Sequence, residues 1–120
     1  MPFERKLRVK TLTADYTVTE RDHMSIFVMG SGADIEITLP AASGMSGVIV
    51  EFYNAQNYEM KITGPDEGIV AFNDATADAI NITTANEHIG ASARFFCDGS
   101  LWYYQNLNAG AAQTVTVVSA

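Results

Sequence analysis

The acidic residues Asp66 and Glu67 follow Gly64-Pro65, with Asp74 and Asp78 close behind. Carboxylates this dense can hold calcium, but a calcium loop alternates its ligands around a glycine, and this spacing does not. Solvated turn residues are the expected role, with a weakly bound calcium as the alternative. A glycosidase needs two acids across a cleft, one with a raised pKa, and no such pair stands out. His23 and His88 stand far apart in the polar turns Arg21-Asp22-His23 and Asn86-Glu87-His88, so both are expected at the surface. A zinc site would need further histidines or cysteines at ligand spacing. The one cysteine, Cys97, ends the run Ala93-Arg94-Phe95-Phe96-Cys97 and is expected as a small buried filler. A single cysteine also excludes an intrachain disulfide framework. Gly30-Ser31-Gly32 lacks the flanks of a nucleophile elbow, and no phosphate loop or dinucleotide fingerprint occurs. The chain is therefore expected to be no enzyme, with no catalytic residue, metal site or cofactor.

Binding chemistry is better represented. Phe95, Phe96, Trp102, Tyr103 and Tyr104 flank the turn residues Asp98-Gly99. Alternation along a strand sends Trp102 and Tyr104 to one face, and Leu101 and Tyr103 to the other. One face must be core; the other suits a subunit interface or a sugar-stacking platform, since tryptophan and tyrosine favour both. The net charge is −7, which argues against nucleic acid as a partner. Charge is unevenly spread. Arg5, Lys6, Arg8 and Lys10 against Glu4 give the first ten positions +3 and leave −10 for the rest. Such an arm suits docking on an acidic partner, or guarding an exposed sheet edge.

The elements that position these residues are strands. Leu7–Lys10, Tyr16–Thr19, Asp34–Leu39, Tyr58–Thr63 and Ile80–Thr83 alternate apolar with polar, the pattern of strands with one dry face. Ser25–Met29, Val48–Tyr53 and Ala91–Cys97 are more fully apolar and are expected to be buried on both faces, inside the domain or at a subunit contact. Turn residues recur between them, at Gly30-Ser31-Gly32, Pro40–Gly47, Asn54–Asn57, Gly64-Pro65-Asp66 and Asn73-Asp74. Ala75–Ala79 suits one helical turn at most. No internal repeat of solenoid length is visible. Beyond a small and flexible Asn108–Ala112, the β-prone Thr114–Val118 should close a sheet in cis or pair with another chain. The expected fold is a single antiparallel β-sandwich with jelly-roll-like connectivity and nine to eleven strands. Residues 1–10 form an arm or edge strand, 11–107 the sandwich and 108–120 a tail with an assembly strand. The chain has 120 residues, enough for one core without staples. No apolar stretch of signal-peptide or membrane length appears, so a soluble protein with no membrane partner is expected.

Leu12-Thr13-Ala14-Asp15-Tyr16-Thr17-Val18-Thr19, then Ile35-Glu36-Ile37-Thr38-Leu39-Pro40-Ala41-Ala42, a Gly-rich turn, the strand Gly47–Asn54 and a closing Gly99-Ser100-Leu101-Trp102-Tyr103 together resemble small structural proteins of tailed bacteriophages. The likeness spans residues 11–105 and rests on turn and core positions. It implies a capsid decoration (cement) protein, made in the host cytoplasm and carried on the outer capsid surface of the virion. Such a protein is expected to be a homotrimer contacting the major capsid protein. On that reading the contacts are Arg5, Lys6, Arg8 and Lys10 of the arm, Trp102 and Tyr104 of the aromatic cluster, and Val115 and Val117 of the tail. Two alternatives stay open: a tail or head fibre receptor-binding module, and a small carbohydrate-binding module taking a host glycan.

Overall fold

The computed structural model describes residues 6–82, 88–107 and 114–119. Twelve strands account for nearly all regular structure among them: β1 (Arg8–Leu12), β2 (Tyr16–Thr17), β3 (Ser25–Met29), β4 (Ile35–Thr38), β5 (Ile49–Asn54), β6 (Met60–Thr63), β7 (Ile69–Ala71), β8 (Asp74–Ala77), β9 (Ala79–Ile82), β10 (Ser92–Cys97), β11 (Trp102–Asn106) and β12 (Val115–Val118). A single 3₁₀ turn spans Glu20–Asp22. The strands form a seven-stranded sheet of order β1-β3-β5-β10-β11-β7-β8 and a five-stranded sheet of order β12-β9-β6-β4-β2.

The all-β sandwich expected from period-two patterning is present, with one strand more than the upper expectation. Its connectivity differs from an antiparallel jelly roll, because both sheets are mixed. The first six strands alternate between sheets, so β1, β3 and β5 run parallel in one while β2, β4 and β6 run parallel in the other. Parallel neighbours need a crossover. Here each crossover is a strand of the opposite sheet, and the chain winds as a flattened coil. The second half then pairs back antiparallel, β9 on β6 and β10 on β5. Period-two alternation is the same for both pairing senses, so the pattern could not distinguish them.

Ala75–Ala79 is not a helical turn: it spans the end of β8 and the start of β9. The predicted hairpin between Phe95-Phe96 and Trp102 is present, with Cys97 opposite Trp102. Asp98 accepts the N–H groups of Ser100 and Leu101 at 2.8 and 2.9 Å, and Gly99 takes φ +94°, open only to glycine at low cost.

The core lies between the sheets. Ile35, Ile37, Met60, Ile62 and Ile80 of the smaller sheet meet Phe27, Phe52, Phe95 and Trp102 of the larger. Tyr16, Phe27, Phe52, Phe95 and Tyr104 form a continuous aromatic row, with successive centroids 5.2 to 5.8 Å apart. Burying each large side chain contributes roughly 1.5–3 kcal/mol before entropy is charged. Trp102 is fully buried and donates its indole N–H to the Pro40 carbonyl at 2.8 Å. Cys97, buried as expected, reaches the Ala42 carbonyl at 3.6 Å. The Leu39–Ala42 and Gly99–Tyr103 segments, 60 residues apart in sequence by rough count, are thus bolted together over one end of the core.

Candidate assembly surface

The two outward sheet faces differ in chemistry. On the five-stranded sheet, alternation turns out Glu36, Lys61, Asn81 and Thr116 in one row and Thr17, Thr38, Thr63, Ala79 and Val118 in the next. The Thr63 hydroxyl donates to Glu36 at 3.0 Å. This face is mainly polar and suits water.

The seven-stranded sheet turns out mostly apolar rows. One runs Leu7, Met24, Ile49, Phe96, Tyr103 and Val70; a second runs Val9, Ile26, Glu51, Arg94 and Gln105; a third runs Thr11, Val28, Tyr53 and Ser92. Phe96 and Tyr103 stack at 5.0 Å with planes 14° apart. Val9 is 65% and Tyr53 44% exposed, and the other apolar members are half-buried or at the margin of exposure. The β1-β3-β5 part is parallel, and parallel sheets are normally covered on both faces. A depression of about 280 Å³ lies on this face, lined by Leu7, Met24, Ser25, Ile49, Glu51 and Arg94. In the middle, Arg94 Nη2 approaches Glu51 Oε2 at 3.4 Å. That contact engages one of five guanidinium donors. The apolar runs Ser25–Met29, Val48–Tyr53 and Ala91–Cys97 are therefore buried on one face and half-open on the other.

The aromatic assignment is the reverse of what a contact role requires. Trp102 and Tyr104 face the core at 0% and 8% exposure, so neither can touch a capsid protein, a second subunit or a glycan without unfolding the sheet. Leu101 and Tyr103, on the opposite face, are the half-exposed ones. Burial pushes the Tyr104 hydroxyl up to about 12.

The basic arm is largely occupied by its own chain. Arg8 donates to the carbonyls of Arg21 and of His23, the latter at 2.8 Å. Lys10 pairs with Asp22 at 2.9 Å. Lys6 is exposed, and Arg5 lies outside the described residues. Arg8 and Lys10 thus fasten β1 to the 3₁₀ turn, Lys10 spending its charge on Asp22 while Arg8 stays exposed with its charge unpaired by an acid among the described residues. In the tail, Val115 and Val117 are half-buried against the core, and β12 pairs antiparallel with β9 in cis. The flexible stretch expected at Asn108–Ala112 and the turn residues Asn86-Glu87 lie outside the described residues.

Sequence reasoning passed over Asp22, which is 1% exposed. It accepts from Lys10 Nζ, from the Tyr16 hydroxyl at 2.8 Å and from the Thr19 N–H at 2.8 Å. Burial opposes its charge, but the Lys10, Thr19 and Tyr16 bonds outweigh that and hold the carboxyl below its usual range. The available signal was the Thr19-x-x-Asp22 spacing, which resembles a capping box.

The remaining candidates are structural. His88 is buried rather than superficial, its Nδ1 3.0 Å from Asn57 Oδ1; His23 is exposed and accepts the Ile49 N–H at 3.1 Å. Asp78 accepts the Glu67 N–H at 2.6 Å and Asp74 the Thr76 N–H at 2.8 Å, as turn carboxylates do. Among the described residues, no three His, Cys, Asp or Glu side chains gather as a metal site. No described helix is long and apolar enough to cross a membrane. No protein-family model and no curated protein matches this chain. Its function has to be argued from its own surfaces.

Proposed function

We propose that this chain is a structural protein of a tailed-phage particle, a decoration protein that binds the outer capsid surface as a homotrimer and reinforces contacts between major capsid subunits. The observation that carries the assembly half is the apolar outer face of the seven-stranded sheet, set opposite a polar face on the other sheet. A large half-open apolar face is costly in an isolated molecule and useful in an assembled one. The capsid half rests on the resemblance through Tyr16–Thr19, Ile35–Ala42 and Gly99–Tyr103. The acidic surplus of the body keeps decorated particles apart in solution. Closed symmetry multiplies a weak contact, so a trimer on the shell can hold with modest affinity per chain.

The test is addition of the purified protein to expanded empty capsids assembled without it. Saturable cosedimentation and a raised temperature of capsid disruption are expected. Failure to cosediment with capsids, together with binding to isolated tails, would overturn the capsid placement in favour of a fibre module. A glycan-binding reading cannot use Trp102 and Tyr104, which are core residues, and would have to rest on the stacked Phe96 and Tyr103 of the opposite face.

A further inference from the structure

We infer that the outer face of the seven-stranded sheet is covered by a second copy of this same chain, with Arg94 of one copy meeting Glu51 of its neighbour. This rests on the assembly half of the proposed function and is independent of the capsid; two faces that meet reciprocally form a twofold contact, so it replaces the trimer's contact with a paired one.

Three observations select this occupant. The first is charge. The chain carries −7, so two copies repel over most of their surface. The outward rows of this sheet carry Glu51 and Arg94 at their centre and Asp98 at one end, where it accepts the Tyr103 hydroxyl at 2.7 Å, and are otherwise uncharged. It is a nearly neutral window on an acidic body. A basic partner would gain nothing from that neutrality; a like-charged one needs it.

The second is self-complementarity. Glu51 and Arg94 lie directly opposite each other on the antiparallel pair β5–β10, at the middle of the face. Their contact inside one chain is loose, at 3.4 Å, and their side chains remain 22% and 41% exposed. When two such faces meet, each guanidinium can keep its own carboxylate and take the neighbour's as well, because it has donors to spare. The pair is surrounded by Ile26, Ile49, Phe96 and Tyr103, which would exclude water and strengthen the crossed contact.

The third is area. Six strands at about 4.8 Å spacing and up to three outward rows give roughly 500 Å² in projection. Corrugated by side chains, this approaches the roughly 800 Å² per partner of a standard interface. The depression beside Met24 and Ile49 offers a socket for a neighbour's side chain.

The experiment is charge exchange read by light scattering and native mass spectrometry on the full chain. Wild type is expected as an oligomer. Glu51→Arg makes the centre of the face doubly positive and Arg94→Glu makes it doubly negative. Each alone should weaken association by about thirtyfold or more. A one-to-one mixture of the two should recover mixed oligomers, even-numbered if faces pair two by two and incomplete if three meet around an axis. Thr63→Lys, on the outer face of the other sheet, should leave the mass unchanged. Both central positions are partly exposed, and a thermal melt checks that the variants fold; Tyr53→Lys gives the same reading without touching the ion pair. A monomeric wild type, or unchanged mass in Glu51→Arg, Arg94→Glu and Tyr53→Lys, overturns the inference. Oligomers that fail to bind capsids would remove the decoration role and leave this interface standing. Capsid binding by a monomer would do the reverse.

Discussion

Asp22 shows how much one side chain can organise and how little of it the sequence displays. Placed between Arg21 and His23, it reads as a solvated turn acid, yet it joins β1 through Lys10, β2 through Tyr16 and the 3₁₀ turn through Thr19. Nothing local says that Lys10 and Tyr16 converge on it, because that depends on β1 and β2 lying in different sheets. Asp22→Asn puts an amide where three donors point and leaves Lys10 without its partner. Stability should fall by about 2–4 kcal/mol at neutral pH. The carboxyl of Asp22 is depressed in the folded chain, so its contribution is complete above the unfolded value, about 4, and is lost as pH falls through the lower folded one. Urea titrations should therefore show wild type and variant far apart at pH 7 and converging below about pH 4. A gap that is constant with pH would remove the charged network from the account. Trp102 gives the complementary lesson. Alternation correctly placed it with Tyr104 and apart from Tyr103, but could not tell which side was wet. The decision belongs to Pro40, whose carbonyl takes the indole N–H from a loop remote in sequence.

At the scale of elements, ten of the strands were legible: β3, β5 and β10 as runs rich in apolar residues, the others from alternation, a turn signal or β-prone composition. β7 and β8 were not. Ile69–Ala71 is three residues long, and Asp74–Ala77 reads DATA, with weak strand propensity and turn formers on its flank. They are strands because β11 offers β7 a parallel edge, with Trp102 opposite Ile69. The tail was legible as a strand, and its partner was the open question. β12 lies on β9, with Val117 opposite Ile80 and packed on the core. Asp at position 117 would bring a carboxylate against that core and should cost about 1–3 kcal/mol. Thr116→Asp, on the exposed side of the same strand, should cost clearly less, because no apolar surface is lost there. Thermal melts of the two variants side by side check this. Equal, negligible shifts would mean that β12 spends its time paired elsewhere.

For the molecule as a whole, the winding order decides what can fold alone. Alternate strands of the first half build both sheets at once, so residues up to Thr63 hold three rungs of the larger sheet and three of the smaller. The second half lays β10 against β5 and β9 against β6. A cut near Gly64 therefore divides both sheets rather than separating one from the other. It strips Phe95 and Trp102 from the face of Phe52, and Ile80 from Ile62, on the two sides of the same core. Each half would expose its inner apolar surface along two unpaired edges, the arrangement least tolerated in water. Fragments 1–64 and 65–120 should each lack dispersed amide proton shifts when expressed separately, even though each contains strands with strong local propensity. Mixing them should recover structure slowly, because the pairings that join the halves, β10 on β5 and β9 on β6, are non-local. A cooperative melt from 1–64 alone would show that the coil is an independent unit, and would make the antiparallel half an addition to it rather than a part of its core.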